Sequence, residues 1–272
     1  EKVFHDAPML SLEKCYDDET LAKWAASFEG DVFESPKIDG VAASMKYDDE
    51  GRLALAVTRG DGRRGEAFTA NARFITDLPA EIADGPVEVR GEVYMPLSVF
   101  RTFEGEFSNP RNTTAGAIKQ KDPRGTARYR LQFLLYDVIG KDVDTEDAKH
   151  RWAVAQGFTS VEHQVLAKDN LAGGHQAWLA RRDSLDVELD GVVYKANLLS
   201  EHARMGATAH HPRYAIAYKF QGESGVSTLE AVEWSVSRTG AITPVGIIAP
   251  VFLSGAQVTR CSLHNLAIMR QL

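Results

Sequence analysis

Residues 87–95, VEVRGEVYM, alternate so regularly that they admit one kind of backbone. A period of two belongs to a strand, because successive side chains leave opposite faces of the pleat, whereas a helix would scatter the same residues around its axis. Val87, Val89 and Val93 therefore share one face, and Glu88, Arg90 and Glu92 the other. Three charges on one strand face require either solvent or a polar cleft. YAIAYKF repeats the pattern, with Tyr214, Ile216, Tyr218 and Phe220 set against Ala215, Ala217 and Lys219. Small residues beside a lysine leave room for something to lie on that face. The valines of LDGVVYKANLL predict a buried strand just before it.

Helical spacing is shorter-ranged. Leu21, Trp24, Ala25 and Phe28 recur at helical intervals after Asp17, Asp18 and Glu19, and Gly30 offers a stop. Pro96 is expected in the first turn of a second helix carrying Val99, Phe100 and Phe103. The acidic stretch from Asp142 to Asp147 leads into a helix expected around His150 to Gln156 and ended by Gly157, with its charges exposed. Gly173 and Gly174 mark a break or cap before HQAWLARRD. From about Gly222 the chain turns β-rich, as in a small barrel, but has too few strands to close one. The expected division is residues 1–221 and 222–272.

Lys37, Asp39 and Gly40 form K-x-D-G, followed closely by the charged loop TRGDGRRGE. An amine attacks phosphorus only when neutral, which at the ordinary lysine value of about 10.4 is a small fraction near pH 7. Burial and nearby cations enlarge that fraction, and Lys195, Lys219 and Arg182 are the cations that could converge. Asp39 could take the proton or position a metal, and Gly40 could turn the backbone where a ligand approaches. Alone, K-x-D-G is a weak signal.

Composition removes several classes. No apolar run nears the roughly 20 residues of a membrane span, and the opening EKVFHDAPMLSLEKC lacks the basic-then-apolar order of a signal peptide, so a cytoplasmic location and no membrane partner are expected. Cys15 and Cys261 are the sole cysteines, too few for a disulfide framework or a zinc site of paired cysteines. A net charge of −7 argues against a chain coated for nucleic acid, yet Arg111, Lys119, Lys121, Arg124, Arg128 and Arg130 face only Asp122 within their own run. That run is a candidate polyanion face.

The ordered set KIDG, TRGDGRRGE, VRGEVYMP, FSNPRNTTAGAIKQKDP, LDGVVYK, RYAIAYKF and SRTGAITPV…SLHN resembles the NAD-dependent bacterial DNA ligases, from about HDAPMLSLEKCYD to the end of the chain. The resemblance implies an α+β nucleotidyltransferase fold of packed antiparallel sheets, of the ATP-grasp-like DNA ligase type, and then part of an OB-fold barrel. It implies a monomer that uses NAD and Mg2+ on nicked double-stranded DNA. Lys37 would attack NAD to form lysyl-AMP; AMP would pass to the 5′-phosphate of a nick, and the 3′-hydroxyl would displace it. By position in the motifs, Arg59 and Glu92 would hold the ribose end, Ser11 and Leu12 would lie at the nucleotide pocket, and Lys195 and Lys219 would neutralise phosphate. Asp190 would help to bind magnesium, and Arg111, Lys119 and Arg182 would contact DNA or phosphate.

Two positions depart from the pattern. Where the family has glutamate reading adenine, two residues before the nucleophile, this chain has Ser35, with Glu34 one residue earlier; and Lys119 replaces a frequent arginine. The family's small helical domain before this region, and its zinc finger, helix-hairpin-helix repeats and BRCT domain after it, are not in the sequence, which implies a fragment or a reduced ligase. An ATP-dependent polynucleotide ligase or capping-type enzyme would share the three lysines but not NPRNTTAG or SRTGAITPV, and a non-catalytic nick-binding module would have no need of Lys37, Glu92 and Lys219.

Overall fold

A computed structural model describes residues 1–103, 105–222, 225–237, 240–253 and 256–270, so Arg238 and Thr239 of SRTGAITPV lie outside the described residues. The chain forms two compact units, Glu1–Phe220 and Gln221–Leu272. The first begins with β1 (Lys2–Phe4), β2 (Glu13–Cys15), α1 (Asp18–Ala25), β3 (Val32–Ile38), β4 (Val41–Tyr47), β5 (Leu53–Thr58) and β6 (Arg64–Glu66). It continues through α2 (Thr69–Ala72), β7 (Val87–Tyr94), α3 (Leu97–Phe100), α4 (Pro110–Ala117), β8 (Gln132–Ile139) and α5 (Glu146–Ala155). It ends with β9 (Gln164–Leu166), α6 (Gly174–Arg181), β10 (Leu189–Ala196), α7 (Leu199–Met205) and β11 (Ala215–Lys219). The second unit has an antiparallel sheet of β12 (Leu229–Val236), β13 (Ile242–Leu253) and β14 (Ala256–Ser262), then α8 (Leu266–Met269). No described helix is long and apolar enough to cross a membrane.

Two sheets carry the first unit. One is antiparallel in the order β5-β4-β7-β8; the other runs β2-β11-β10-β3-β9, antiparallel except where β2 joins β11. Each buries one face. Val87, Val89 and Val93 of β7 pack with Ala43 and Met45 of β4 and with Ala117 and Ile118 at the end of α4. Val192 and Tyr194 of β10 pack with Ile216 and Tyr218 of β11 and with Leu21 and Ala25 of α1. Burying such side chains contributes about 1.5–3 kcal/mol each, which fixes which face of every strand points away from the core. The charged face of β7 and the small face of β11 consequently line one cavity.

Asp39 and Gly40 carry the chain from β3 in one sheet to β4 in the other. A Cβ at Gly40 would lie 2.4 Å from the Val93 carbonyl oxygen. The glycine is thus required by the close approach of β7.

Local reading fails where distant elements cover a charge. The fifth helix starts at Glu146, capped by the Thr145 hydroxyl on the Ala148 amide, and Glu146, Lys149 and His150 are buried rather than exposed. Pro96 caps α3 from outside its first turn. The basic run acquires acids from elsewhere: Arg111 pairs with Asp39, Lys119 with Glu66 and Arg128 with Glu106. With Arg124 on Asp122, most of its apparent excess charge is matched.

Candidate active site

The cavity between the two sheets, of about 430 Å3, takes its floor from the register of the larger sheet. Lys37 of β3, Gly191 of β10 and Lys219 of β11 lie opposite one another in one row across the strands. The next row inward is Ser35, Val193, Ala217 and Lys14, and the third holds Phe33, Lys195 and Ala215. Rows two residues apart alternate with the core-facing rows, so Ser35 is in the cavity wall while Glu34 points the other way.

Glu34 is fully buried on the far side of β3, where its Oε1 accepts from Gln164 Nε2 at 2.6 Å and Trp178 Nε1 at 3.0 Å. A Cβ at Gly174, the first residue of α6, would stand 2.3 Å from Glu34 Oε2. Glu34 cannot substitute for a glutamate at position 35, because one residue of shift in a strand exchanges faces.

Two bulges aim charge into the cavity. Asp190 is the extra residue of β10 between Leu189, opposite Ile38, and Gly191, opposite Lys37. Its carboxylate sits 3.2 Å from Lys37 Nζ and accepts from Lys219 Nζ at 2.6 Å. The lysine's nearest acid is therefore Asp190. Asp39 instead holds Arg111, Nη1 to Oδ1 2.9 Å, and does not line the cavity. Tyr136 is likewise extra on β8, between Leu135 opposite Gly91 and Asp137 opposite Arg90, so Tyr136 and Asp137 both enter the wall.

The opposite wall supplies Arg59, Arg90 and Glu92. Glu92 Oε2 is shut off from solvent and has no hydrogen-bond partner among the described residues. Burial pushes this carboxyl up to about 8, against the pull of Lys37, Arg111 and Arg59. Arg90 pairs with Glu88 at 2.7 Å and donates to the carbonyls of Ala7 and Pro8, at 2.6 and 3.0 Å. It ties down the segment in which Ser11 and Leu12 line the cavity, while His211 Nδ1 lies 3.0 Å from the Ser11 carbonyl.

Lys195 departs from its expected company. Four residues along β10 from Gly191, it is about 13 Å down the strand from the Lys37 row at ~3.3 Å per residue. It therefore stands at the opposite end of the cavity from Lys219. There its Nζ donates to Tyr136 O at 2.8 Å and Glu146 Oε2 at 3.0 Å. Burial alone would raise Asp137 and Glu146, but Lys149 and Lys195 hold both below the usual carboxylate range. Burial pushes the His150 imidazole down to about 3.

The structure thus gathers Ser11, Leu12, Ser35, Lys37, Arg59, Glu92, Arg111, Asp190, Lys195 and Lys219 around one cavity. It does not bring Arg182 or Lys119 there: Arg182 pairs with Glu188 at 3.3 Å, and Lys119 lines a separate cavity with Glu66. Lys14, Tyr136, Asp137 and Tyr214, which also line the site, were not legible as site residues. The alternation around β11 puts Tyr214 on the bulky face with Ile216 and Tyr218, away from the small face, and nothing local marks Lys14 or the bulged pair.

The carboxylates that line the cavity belong to Glu92, Asp137 and Asp190, and Glu92 and Asp190 each carry a buried oxygen without a hydrogen bond among the described residues. That set fits Mg2+, which is usually held by one or two carboxylates together with substrate phosphates. No cluster of three or more His, Cys, Asp or Glu suited to a metal exists among the described residues.

Residues 1–223 match the NAD-dependent DNA ligase adenylation domain family, and residues 226–272 match the NAD-dependent DNA ligase OB-fold domain family. Over 97% of its length the chain is 39% identical to a DNA ligase of Xanthobacter autotrophicus, covering 40% of that protein. Over its whole length it is 35% identical to a DNA ligase of Shouchella clausii, covering 43%. The chain spans less than half the length of these curated relatives. A solved chain described as Pmar-Lig_PreS3 superposes with a TM-score of 0.53 at 13% identity, over 93% of this chain and 56% of that one, a likeness of fold.

Proposed function

Because the chain belongs to the NAD-dependent DNA ligase family, through its adenylation and OB-fold domains, we propose that its cavity is the site where NAD is turned into a lysine-bound adenylate for sealing nicked double-stranded DNA. The observation that carries this reading is the row Lys37–Gly191–Lys219 with Asp190 between the two ammonium groups. One lysine attacks, the second meets the phosphate charge, and the carboxylate holds a proton.

In the adenylation step Lys37 Nζ, having given a proton to Asp190, forms a bond to the α-phosphorus; the bond from that phosphorus to the bridging oxygen breaks, and nicotinamide mononucleotide leaves with the electron pair. Lys219 offsets the charge on the phosphoryl oxygens, the kind of positioned electrostatic stabilisation on which phosphoryl transfer depends. Glu92 and Arg59 face the ribose from the opposite wall, and the small floor of Ser35, Val193 and Ala217 takes the base. Mg2+ held near Asp190 and Glu92 would neutralise phosphate charge. AMP then passes to the 5′-phosphate of a nick and is displaced by the 3′-hydroxyl, the chemistry of replication and repair. Arg111 at the rim, with Lys119 and Arg182 further out, contacts DNA. The protein works as a cytoplasmic monomer, divided near residue 221.

Intact-mass measurement after incubation with NAD and Mg2+ tests the assignment. The chain should gain the mass of one adenylate, and Lys37→Ala should not. Lys37→Arg should fail equally, since a guanidinium stays protonated and cannot attack. An adduct on Lys37→Ala sinks the reading.

A further inference from the structure

Beneath the Lys195 end of the cavity lies a chain of alternating charge to which the reaction above gives no task. Lys195 Nζ meets Glu146 Oε2 at 3.0 Å; Glu146 Oε1 meets Lys149 Nζ at 2.9 Å; Lys149 Nζ meets Asp137 Oδ1 at 2.8 Å. Lys195 and Asp137 line the cavity, whereas Glu146 and Lys149 stand behind it, buried. Two cations and two anions balance, as buried ions must if they are to remain charged. His150 and His202 close the remaining sides, with Nε2 of the first 4.0 Å from Glu146 Oε2 and Nδ1 of the second 3.7 Å from Oε1. His202 also stacks on Tyr214 of the cavity wall, ring centres 3.8 Å apart.

A lysine has four rotatable bonds, so an ammonium on it finds a ligand atom reliably only if something else fixes it. Glu146 and the Tyr136 carbonyl take two of the three donors of Lys195. Among the described residues Lys195 Nζ has no third hydrogen-bond partner, and its side chain lines the cavity. We propose that Glu146 is a positioning residue that aims Lys195 at the bound nucleotide, setting nucleotide affinity through Lys195 without touching ligand. This inference rests on the nucleotide reading of the cavity.

The test is a double-mutant cycle on AMP binding, measured by titration calorimetry with the 272-residue chain. Glu146→Gln and Lys195→Met should each weaken AMP binding about tenfold or more, and Glu146→Gln should cost nothing further once Lys195 is methionine, because residues acting through one contact are not additive. A role confined to stability would leave AMP affinity of the folded Glu146→Gln protein unchanged, or would weaken it additively with Lys195→Met; either result overturns the inference. Should Glu146→Gln fail to fold, the charge-balanced Glu146→Gln/Lys149→Met replaces it in the same cycle, and the same two outcomes decide. If the unaltered chain binds neither AMP nor NAD, the nucleotide reading falls and this inference with it; if it binds both and the cycle is additive, only the inference falls.

Discussion

Glu92 shows how one side chain can tie the site to the stability of the protein. Its carboxyl titrates near 8 in the folded chain, raised by burial, and near 4.5 when unfolded. The folded state thus binds the extra proton between those values, and stability declines as pH rises through that window. Glu92→Gln removes the titration. Melting temperatures should fall for the unaltered chain relative to Glu92→Gln between pH 5 and pH 8, by up to a few kcal/mol in stability. Parallel pH profiles for the two proteins would show that Glu92 does not carry the effect. The variant should also bind AMP less well, because one of the two carboxyl oxygens facing the ribose hydroxyls becomes an amide that can only donate.

At the scale of an element, β3 separates two roles that neighbour each other in sequence. Ser35 faces the cavity; Glu34 serves the core, under α6 and on Trp178. Glu34→Ala should cost about 1–3 kcal/mol in denaturant unfolding, because the amide of Gln164 and the indole of Trp178 lose their acceptor, yet leave AMP affinity within a factor of two. Loss of AMP binding at unchanged stability would refute the facing. The bulges of β8 and β10 make the complementary point. An inserted residue turns Tyr136 and Asp137 to one side and swings Asp190 between two lysines, and period-two reading has no means of placing the extra residue.

For the whole molecule, every residue lining the proposed nucleotide cavity falls between Pro8 and Lys219, inside the first compact unit. Residues 1–220 expressed alone should therefore fold and bind AMP as tightly as the 272-residue chain, by calorimetry. Association with nicked DNA should weaken, with the surviving contact strongly salt-sensitive because it rests on phosphate neutralisation. An AMP site lost with residues 221–272 would mean that the second unit completes it.

The alternation at 87–95 and 214–220 determined by itself that strands with one apolar and one polar or small face build this protein, since face and period are properties of local sequence. The ordered motifs likewise marked Lys37, Lys219, Glu92 and Arg59, and the structure places all four around one cavity. What only tertiary structure decided was pairing and distance. Asp190 rather than Asp39 meets Lys37, Lys195 lies at the far end from Lys219, Glu146 is buried beneath it, and the basic run finds its acids on other segments. The physical reason is common to all four. Burial and Coulomb energy depend on separation in space, and residues 22 to 153 positions apart become neighbours only when the fold has formed.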